Sequence, residues 1–569
     1  MVVPERTDII ATGRPGAEKR PMSVSCHGAS VHPDVEARLN RLAPDQRAAA
    51  TAPPGPSLCI APAGSGKTTT LVARAAWLIA TGTPPETIRA TTFNKRAAIE
   101  MTERLDAAVA PLGVAPGTLR VRTFHALGRE ILRDAGTPVE PMADRAAILA
   151  EVASWADEPA LLRLDTAVSR LKVELGVSAD EVAADPDAGP IARAFVAYER
   201  AVAATGGLDF DDLILRAIAA LERDPALLAR WRDRCGELLV DEVQDVDRAQ
   251  LRLALLLAAP DNRVFLVGDD DQSIYGWRLA DVRRILGLEA LLPGLRRVDL
   301  EVNYRCPRGV VERAVRLVER NGERFAKSIR AGPAATGRLI LAPDASDEIV
   351  RVERAMRNWP DDGSTRAVLA RTNRELLPAV VVALRLGIPF RAPRIDLPLE
   401  SPIVDRLLEI AALGGMAEEP LLVTLGRVRA TVGEDPASDE IAAALLGWAV
   451  GERDLPGFVD LVHETRARLA DLRSDDAALT LATAHATKGL EFDHVLVVGM
   501  DVGRFPSARA VAQADDPLRA HEEERRLAYV AWTRARRSLT LLYDPVVPSP
   551  FLLEAFTPDE LGLEPTMHP

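Results

Sequence analysis

The sequence lacks the features of a secreted, zinc-binding or membrane-spanning protein. Its four cysteines lie far apart and form no CxxC pair, which argues against a zinc cluster and against a disulfide framework. No apolar run approaches the ~20 residues needed to cross a membrane, and the N-terminus has no apolar signal core. We therefore expect a cytoplasmic protein that makes no membrane contact.

Lysine is scarce in this chain, although arginine is abundant. The six lysines are Lys19, Lys67, Lys95, Lys172, Lys327 and Lys488. Three of them fall within motifs described below, where a compact ammonium is hard to replace by a planar guanidinium. The net charge of −13 argues against a polycation that coats nucleic acid. A local DNA-binding groove stays possible, because charge clusters rather than net charge form a contact surface.

The length of the chain predicts several domains. A sequence of 569 residues exceeds what one hydrophobic core serves, and a prior of about 150 residues per domain suggests about four. Residues 1–40 mix Pro, Gly, Arg and Ser without periodicity, so we expect a poorly ordered leader, in which Met22 is a second candidate start. Residues 129–229 show amphipathic periods broken at prolines, which predicts an inserted helical domain.

Residues 61–69 separate an apolar strand pattern from a helical pattern. Small residues in this position predict a loop whose backbone N–H groups surround phosphates at a helix N-terminus. Lys67 would reach the β and γ oxygens, and the Thr68 hydroxyl would ligate Mg²⁺. The alternative, an ordinary Gly/Ser turn, is disfavoured by the flanking strand and helix. The predicted loop ligands are Ala63, Gly64, Ser65, Gly66, Lys67, Thr68 and Thr69.

Two later strand patterns end in acidic and amide side chains. Asp241 and Glu242 follow an apolar strand, so we predict that Asp241 holds Mg²⁺ and that Glu242 orients and deprotonates the attacking water. A pair of solvated acids is the alternative, which the phosphate loop makes less favourable. After the next strand, the three successive acids 269–271 and Gln272 suit γ-phosphate sensing. Trp277 with Arg278 offers a stacking plane and a cation to a nucleic-acid strand.

Two further strand patterns end in Thr-Phe beside polar side chains. In the first, Phe93 precedes Asn94 and Lys95, and in the second Phe124 precedes His125. At the carboxyl edge of a parallel sheet, such residues stack on bases and hold phosphates. Ordinary core packing is the alternative for each phenylalanine.

The order of these motifs resembles that of the UvrD/Rep/PcrA-type DNA helicases of superfamily 1. The resemblance extends from about residue 42 to 543. It includes further matching motifs at residues 209–213, 303–306, 367–373, 484–492 and 523–535. It implies an α/β fold in which two RecA-like, parallel-sheet P-loop domains carry two mainly helical inserted domains. It also implies that ATP binds between the RecA-like domains and that single-stranded DNA lies across both.

The resemblance divides the chain into four folded parts. The first RecA-like ATPase domain would comprise residues 41–128 and 230–300, interrupted by the helical insertion at 129–229. The second would comprise residues 301–394 and 476–569, interrupted by an insertion at 395–475. This second insertion is short for the family. In full-length relatives that domain regulates unwinding.

Carried over residue by residue, the resemblance places the nucleotide among side chains from both RecA-like domains. Gln46 would contact adenine, although an isolated surface glutamine is the plainer interpretation of that residue. Tyr304 would stack on the adenine, and Glu491 would bind the ribose. The expected γ-phosphate ligands are Gln272, Arg305 and Arg534. Because both arginines come from the second domain, hydrolysis would require a closed cleft.

The resemblance also implies a set of DNA contacts. They are Phe93, Asn94, Lys95, His125, Trp277, Arg278 and His485. A hydrogen-bonded structural role is the alternative for the two histidines. Two positions depart from the family pattern: Pro62 replaces the usual glycine, and Thr69 stands where many members have arginine.

The leading functional hypothesis is an ATP- and Mg²⁺-dependent translocase on single-stranded and tailed duplex DNA. By resemblance it would unwind with 3′→5′ polarity in repair, replication or recombination. The second hypothesis is an interaction subunit whose ATP cycle times assembly with a repair or phage-defence nuclease, with little unwinding of its own. An inactive scaffold is disfavoured by the complete set of ATP-site groups. RNA stays open as a track, because stacking platforms accept either polymer.

Overall fold

The structure, a computed structural model, describes residues 32–393, 400–414, 419–433, 435–449 and 452–563. Its strands are β1 (Ser57–Ile60), β2 (Ile88–Thr92), β3 (Arg120–Thr123), β4 (Glu237–Val240), β5 (Val264–Gly268), β6 (Arg296–Asp299), β7 (Val302–Asn303), β8 (Arg330–Ala331), β9 (Arg338–Pro343), β10 (Arg366–Ala370), β11 (Phe390–Arg391), β12 (Leu479–Thr483), β13 (Phe492–Val497) and β14 (Ala535–Tyr543). Within the described ranges, no helix combines the length and the apolar character needed to cross a membrane.

The helices surround these strands and fill the intervals between them. They are α1 (Pro33–Leu39), α2 (Pro44–Ala50), α3 (Lys67–Ala80), α4 (Lys95–Val109), α5 (Phe124–Asp134), α6 (Arg145–Val152), α7 (Glu158–Ser169), α8 (Ala179–Ala183), α9 (Pro190–Ala204), α10 (Asp212–Arg223), α11 (Pro225–Arg234), α12 (Arg248–Ala258), α13 (Val282–Leu286), α14 (Leu288–Leu291), α15 (Arg308–Val318), α16 (Glu348–Arg357), α17 (Leu377–Leu386), α18 (Pro402–Gly414), α19 (Leu421–Val432), α20 (Pro436–Trp448), α21 (Leu455–Leu472), α22 (Ala508–Ala512), α23 (Pro517–Trp532) and α24 (Pro550–Ala555).

Two six-stranded sheets, parallel throughout, organise the molecule. The first has the order β3-β2-β4-β5-β1-β6 and the second β11-β12-β10-β13-β14-β9. The central strands β1, β4 and β5 are buried along their whole length, as expected for parallel strands covered by helices on both faces. The predicted α/β fold with two parallel sheets is confirmed.

The first helical insertion has its own hydrophobic core. Side chains of α6, α7 and α9 form one buried cluster with Val182 of α8. By contrast, α5, α10 and α11 share the core of the first sheet, packing with Leu58 and Leu238. We therefore propose that the insertion is limited to α6–α9, which is narrower than the expected 129–229.

The expected second insertion, residues 395–475, includes α18–α21. Its apolar side chains join one core with α16, α17 and strands of the second sheet. Residues 394–399, 415–418, 434 and 450–451, which fall at or within the expected boundaries of 395–475, lie outside the described residues. That these four helices form a separate reduced domain stays a prediction.

Part of the expected disordered leader is a helix. In α1, Val35 and Leu39 stand four residues apart and are buried against Ala73 and Ala76 of α3. Two apolar anchors in a seven-residue helix are too few to produce the periodicity on which sequence interpretation depends. Residues 1–31 lie outside the described part of the chain.

Candidate active site and DNA interface

The phosphate loop connects β1 to the first residue of α3. Gly64 and Gly66 have φ values of 70° and 86°, in the left-handed region that favours glycine. A Cβ atom at Gly64 would lie 2.7 Å from Asn303 Oδ1, and one at Gly66 would lie 2.5 Å from Gln46 Nε2. Both glycines are therefore required by backbone conformation and by close neighbours.

Lys67 and Glu242 form an ion pair across the ends of β1 and β4. The Lys67 Nζ donates to Glu242 Oε2 at 2.7 Å. Burial raises the pKa of Glu242, but the Lys67 and Lys488 ammonium groups outweigh it, so the net pKa is lowered and the carboxylate is ionised at neutral pH. Glu242 also has a left-handed φ of 54°, a strained position of the kind found at functional sites.

The neighbouring acid fits a bound divalent cation. Asp241 Oδ1 is buried and has no hydrogen-bond partner among the described residues. Burial and the adjacent Glu242 carboxylate raise the pKa of Asp241, so this carboxylate needs a further positive charge to be stable when ionised. Carboxylate and hydroxyl oxygens are the donors that Mg²⁺ prefers. Asp241 and the half-buried Thr68 therefore fit the predicted metal site.

Gln46 lies directly against the phosphate loop. Its Nε2 donates to the Ser65 carbonyl oxygen at 2.7 Å, and its Oε1 accepts from the Ala43 N–H at 3.1 Å. An amide has two donors and two acceptor lone pairs, so half of this capacity is left for a base. The adenine contact of Gln46 stays a prediction.

Residues 303–305, from the second half of the chain, contact the phosphate loop. The Tyr304 N–H donates to the Gly64 carbonyl at 2.9 Å, while the tyrosine itself is 51% exposed and available for stacking. Arg305 Nε donates to Glu491 Oε2 at 2.6 Å. The residues expected at the γ-phosphate and at the ribose thus pair with each other.

Arg534 contacts the predicted phosphate sensor directly. Its Nη2 donates to Gln272 Oε1 at 3.2 Å, and its Nε donates to the Val530 carbonyl at 2.8 Å. Burial, followed by the nearby Arg305, lowers the pKa of Arg534 to about 9, which leaves the guanidinium charged at neutral pH. This contact therefore joins the segment that follows β5 to the residues that follow α23.

Two residues that the sequence did not assign also join the two halves of the site. The Tyr529 hydroxyl accepts from the Ala63 N–H at 3.3 Å. The Lys488 Nζ donates to Asp245 Oδ2 at 2.6 Å and to the Gln272 carbonyl at 2.5 Å. Lys488 stood out as one of few lysines, whereas a tyrosine in an apolar helical run resembles ordinary core.

Aromatic rings line the same edge of the first sheet. Phe93 stacks on Tyr275 with 4.9 Å between centroids and a 9° interplanar angle, and Tyr275 meets Trp277 edge-on at 6.1 Å. The Arg278 guanidinium lies 4.6 Å from the Trp277 centroid, and Trp277 is 55% exposed. Phe93, Trp277 and Arg278 were predicted from the sequence as DNA contacts, whereas Tyr275 was not.

The two predicted DNA-binding histidines are uncharged at neutral pH. Burial lowers the pKa of His125, and burial with Arg371 and Lys488 lowers the pKa of His485 to about 3. The His125 ring lies 4.7 Å from the ring of Phe210, which is 59% exposed and was not assigned. These histidines are suited to hydrogen bonding rather than to ion pairing with phosphates.

Two predicted DNA contacts, Asn94 and Lys95, lie at the N-terminus of α4 and have different surroundings. Asn94 caps the helix, because its Oδ1 accepts from the Ala97 N–H at 2.9 Å. Lys95, the first helical residue, is exposed. Asn94 therefore has a local structural role beside any contact with DNA.

A phosphate loop and strand-end acids on the first sheet, with arginines that reach them from the second half of the chain, are typical of nucleoside-triphosphatases with two RecA-like domains. The family model described as the UvrD/REP helicase N-terminal domain matches residues 42–293, and the UvrD-like helicase C-terminal domain model matches residues 454–544. The chain belongs to the UvrD-like helicase family.

Several curated relatives resemble nearly the whole chain. DNA helicase II of Escherichia coli (strain K12) is 29% identical, over 90% of this chain and 85% of that protein. DNA helicase II of Salmonella typhimurium is also 29% identical over the same shares. ATP-dependent DNA helicase PcrA of Staphylococcus aureus (strain Mu50) is 28% identical, over 90% of this chain and 84% of that protein.

The exposed ring of Trp277 leads to a prediction about DNA affinity. Replacing Trp277 with alanine should weaken binding of a single-stranded oligonucleotide by about tenfold, because a stacked base contributes ~1–3 kcal/mol. Fluorescence anisotropy with a labelled oligo-dT measures this affinity. Trp155→Ala is the control, since Trp155 is 63% exposed but follows α6 in the insertion. Equal affinities for the two variants would show that Trp277 does not contact the DNA.

Proposed function

We propose that this protein hydrolyses ATP with Mg²⁺ to move along single-stranded DNA and to unwind tailed duplexes with 3′→5′ polarity. The observation that carries the proposal is the contact between Arg534 and Gln272, which joins the two halves of the proposed ATP site. The relatives named DNA helicase II and ATP-dependent DNA helicase PcrA support DNA as the track.

The proposed chemistry assigns one task to each group at the strand ends. Mg²⁺ held by Thr68 and Asp241 would neutralise charge on the β and γ phosphates. Glu242 is ionised, so it can accept the proton of the attacking water. The Lys67 ammonium, 2.7 Å from Glu242, would exchange part of that contact for phosphate oxygens. Phosphate binding thereby frees the general base.

The proposed coupling to DNA follows from where the two halves touch. Arg305 and Arg534 reach the cleft from the second half, so the charge of the transition state is stabilised only when the cleft is closed. Next to the aromatic rings, the Tyr275 hydroxyl donates to the His485 carbonyl at 3.5 Å. The same closure therefore changes the surroundings of both ATP and the stacked bases, which permits one step along the strand per cycle.

An unwinding assay with tailed duplexes tests this function. Single-stranded DNA should raise ATP turnover, and a duplex with a 3′ tail should be separated while its 5′-tailed counterpart stays paired. Turnover that DNA does not stimulate would exclude the motor, and preference for the 5′ tail would reverse the proposed polarity. An RNA oligonucleotide of the same sequence, assayed in parallel, shows whether the track is restricted to DNA.

The short second insertion favours a second candidate function. Only α18–α21 are described between β11 and β12, and in this candidate the ATP cycle times assembly with a nuclease or repair protein. DNA-stimulated ATP turnover without unwinding of either tailed duplex would support it. Robust unwinding by the isolated chain would exclude it as the only role.

A further inference from the structure

Three consecutive acids after β5 share one buried lysine. Asp269, Asp270 and Asp271 are each fully buried, and the side chain of Lys327 is 1% exposed. The Lys327 Nζ lies 3.2 Å from Asp269 Oδ1 and 2.9 Å from Asp271 Oδ2, and it also donates to Asp270 Oδ1. An ammonium has three donors that radiate from one atom, which suits three carboxylates better than the planar fork of arginine.

Lys327 reaches this cluster from the second half of the molecule. It ends the segment 321–327, which follows α15. At one end of the segment, the Gly322 N–H donates to Glu522 Oε1 of α23 at 2.7 Å. At the other end, the Phe325 N–H donates to Asp270 Oδ2 at 2.8 Å, and the Phe325 ring packs on the core of the first sheet. The segment therefore ties α23 to the acids that follow β5.

One acid of the cluster connects Lys327 to the phosphate sensor. Asp269 Oδ1 faces Lys327, while its Oδ2 accepts from Gln272 Nε2 at 2.7 Å. The opposite end of that amide, Gln272 Oε1, accepts from Arg534. A carboxylate accepts hydrogen bonds, so Asp269 Oδ2 selects the amide orientation that presents the Gln272 oxygen to the arginine.

We propose that Lys327 is a positioning residue for ATP hydrolysis, which holds the Asp269 carboxylate against the Gln272 amide and thereby keeps Gln272 in the orientation that engages Arg534. This inference rests on the proposed ATPase function and adds a regulatory route to it. Because Lys327 belongs to a segment bound to α23, a change in the spacing of the two sheets alters the Lys327–Asp269 contact. The orientation of Gln272 therefore responds to closure of the cleft through two contacts. One is with Arg534, and the other is with Asp269, which pairs with Lys327.

The test compares two buried cations of the same segment. Lys327→Met should lower the kcat of DNA-stimulated ATP hydrolysis by about tenfold or more, with the KM for ATP and the affinity for oligo-dT within about twofold, as expected when an interaction made in the transition state is lost. Arg324→Met is the control. The Arg324 side chain is 10% exposed and binds Asp271 at 3.0 and 3.1 Å, so it should affect thermal stability while kcat stays within about twofold.

A double-mutant cycle separates positioning from a merely structural role. Adding Lys327→Met to Gln272→Ala should leave kcat at the value of Gln272→Ala alone, because residues that act as a unit are not additive. If Lys327→Met does not fold, the charge-balanced pair Lys327→Met with Asp270→Asn replaces it, with the same expected loss of kcat. Equal kcat values for Lys327→Met and Arg324→Met, or multiplied effects in the cycle, would overturn the inference. A wild-type chain without DNA-stimulated turnover would instead overturn the proposed function itself.

Discussion

Replacing Lys67 with alanine should lower DNA-stimulated ATP turnover by about a thousandfold or more. The ammonium is the only phosphate-loop side chain expected to place a full positive charge on the β and γ oxygens, and preorganised charges of this kind supply the largest catalytic effects. Its loss also removes the partner 2.7 Å from Glu242, so the pKa of that base should rise towards its ordinary value. Steady-state phosphate release at saturating oligo-dT measures the effect.

A surface arginine provides the matched control for Lys67. Arg104→Ala removes a half-exposed positive charge from α4 and should leave turnover within about twofold, since exposed ion pairs contribute little. DNA binding by the Lys67 variant should stay close to wild type, because the aromatic rings lie at other strand ends. Turnover within tenfold of wild type would show that the catalytic site lies elsewhere.

Replacing Arg534 with lysine should lower kcat by about a thousandfold, even though the positive charge is kept. Arginines that reach a transferred phosphoryl group contribute ~10³–10⁵ in kcat. The guanidinium fork contacts Val530 O, Leu490 O and Gln272 Oε1 together, whereas a lysine ammonium cannot match this planar pattern. The KM for ATP should change by only a few-fold. Single-turnover hydrolysis separates the chemical step from binding.

A second arginine nearby serves as the control for Arg534. Arg537 is close in sequence, on β14, and is half-exposed in an ion pair with Asp362 at 2.8 Å. Arg537→Ala should retain wild-type kcat, and thermal melting of both variants shows how much of any loss comes from stability. If Arg534→Lys hydrolyses ATP at the wild-type rate, the proposal that this arginine acts on the γ-phosphate is wrong.

Most of the candidate site residues could be predicted from the sequence because they lie at the ends of strands. The phosphate loop after β1, the acids after β4 and Gln272 after β5 were each recognisable because an apolar run stops abruptly at polar residues. Parallel strands bring their carboxyl ends to one edge, so these residues had to converge. Phe210, Tyr275 and Tyr529 were missed because an isolated aromatic residue looks the same in sequence whether it packs in a core or borders a cleft.

The sequence by itself determined the family and the α/β class, and it predicted the groups of the proposed ATP site, because strand periodicity and strand-end chemistry are local. Only the tertiary structure decided which groups touch: Arg305 with Glu491, Arg534 with Gln272, and Lys327 with three acids. These partners are separated by tens to hundreds of residues. Their pairing depends on how two sheets and the segment 321–327 pack, which local patterns do not encode. The scarcity of lysine in the sequence suggested that the few lysines have particular roles. The tertiary structure showed which carboxylates Lys327 contacts.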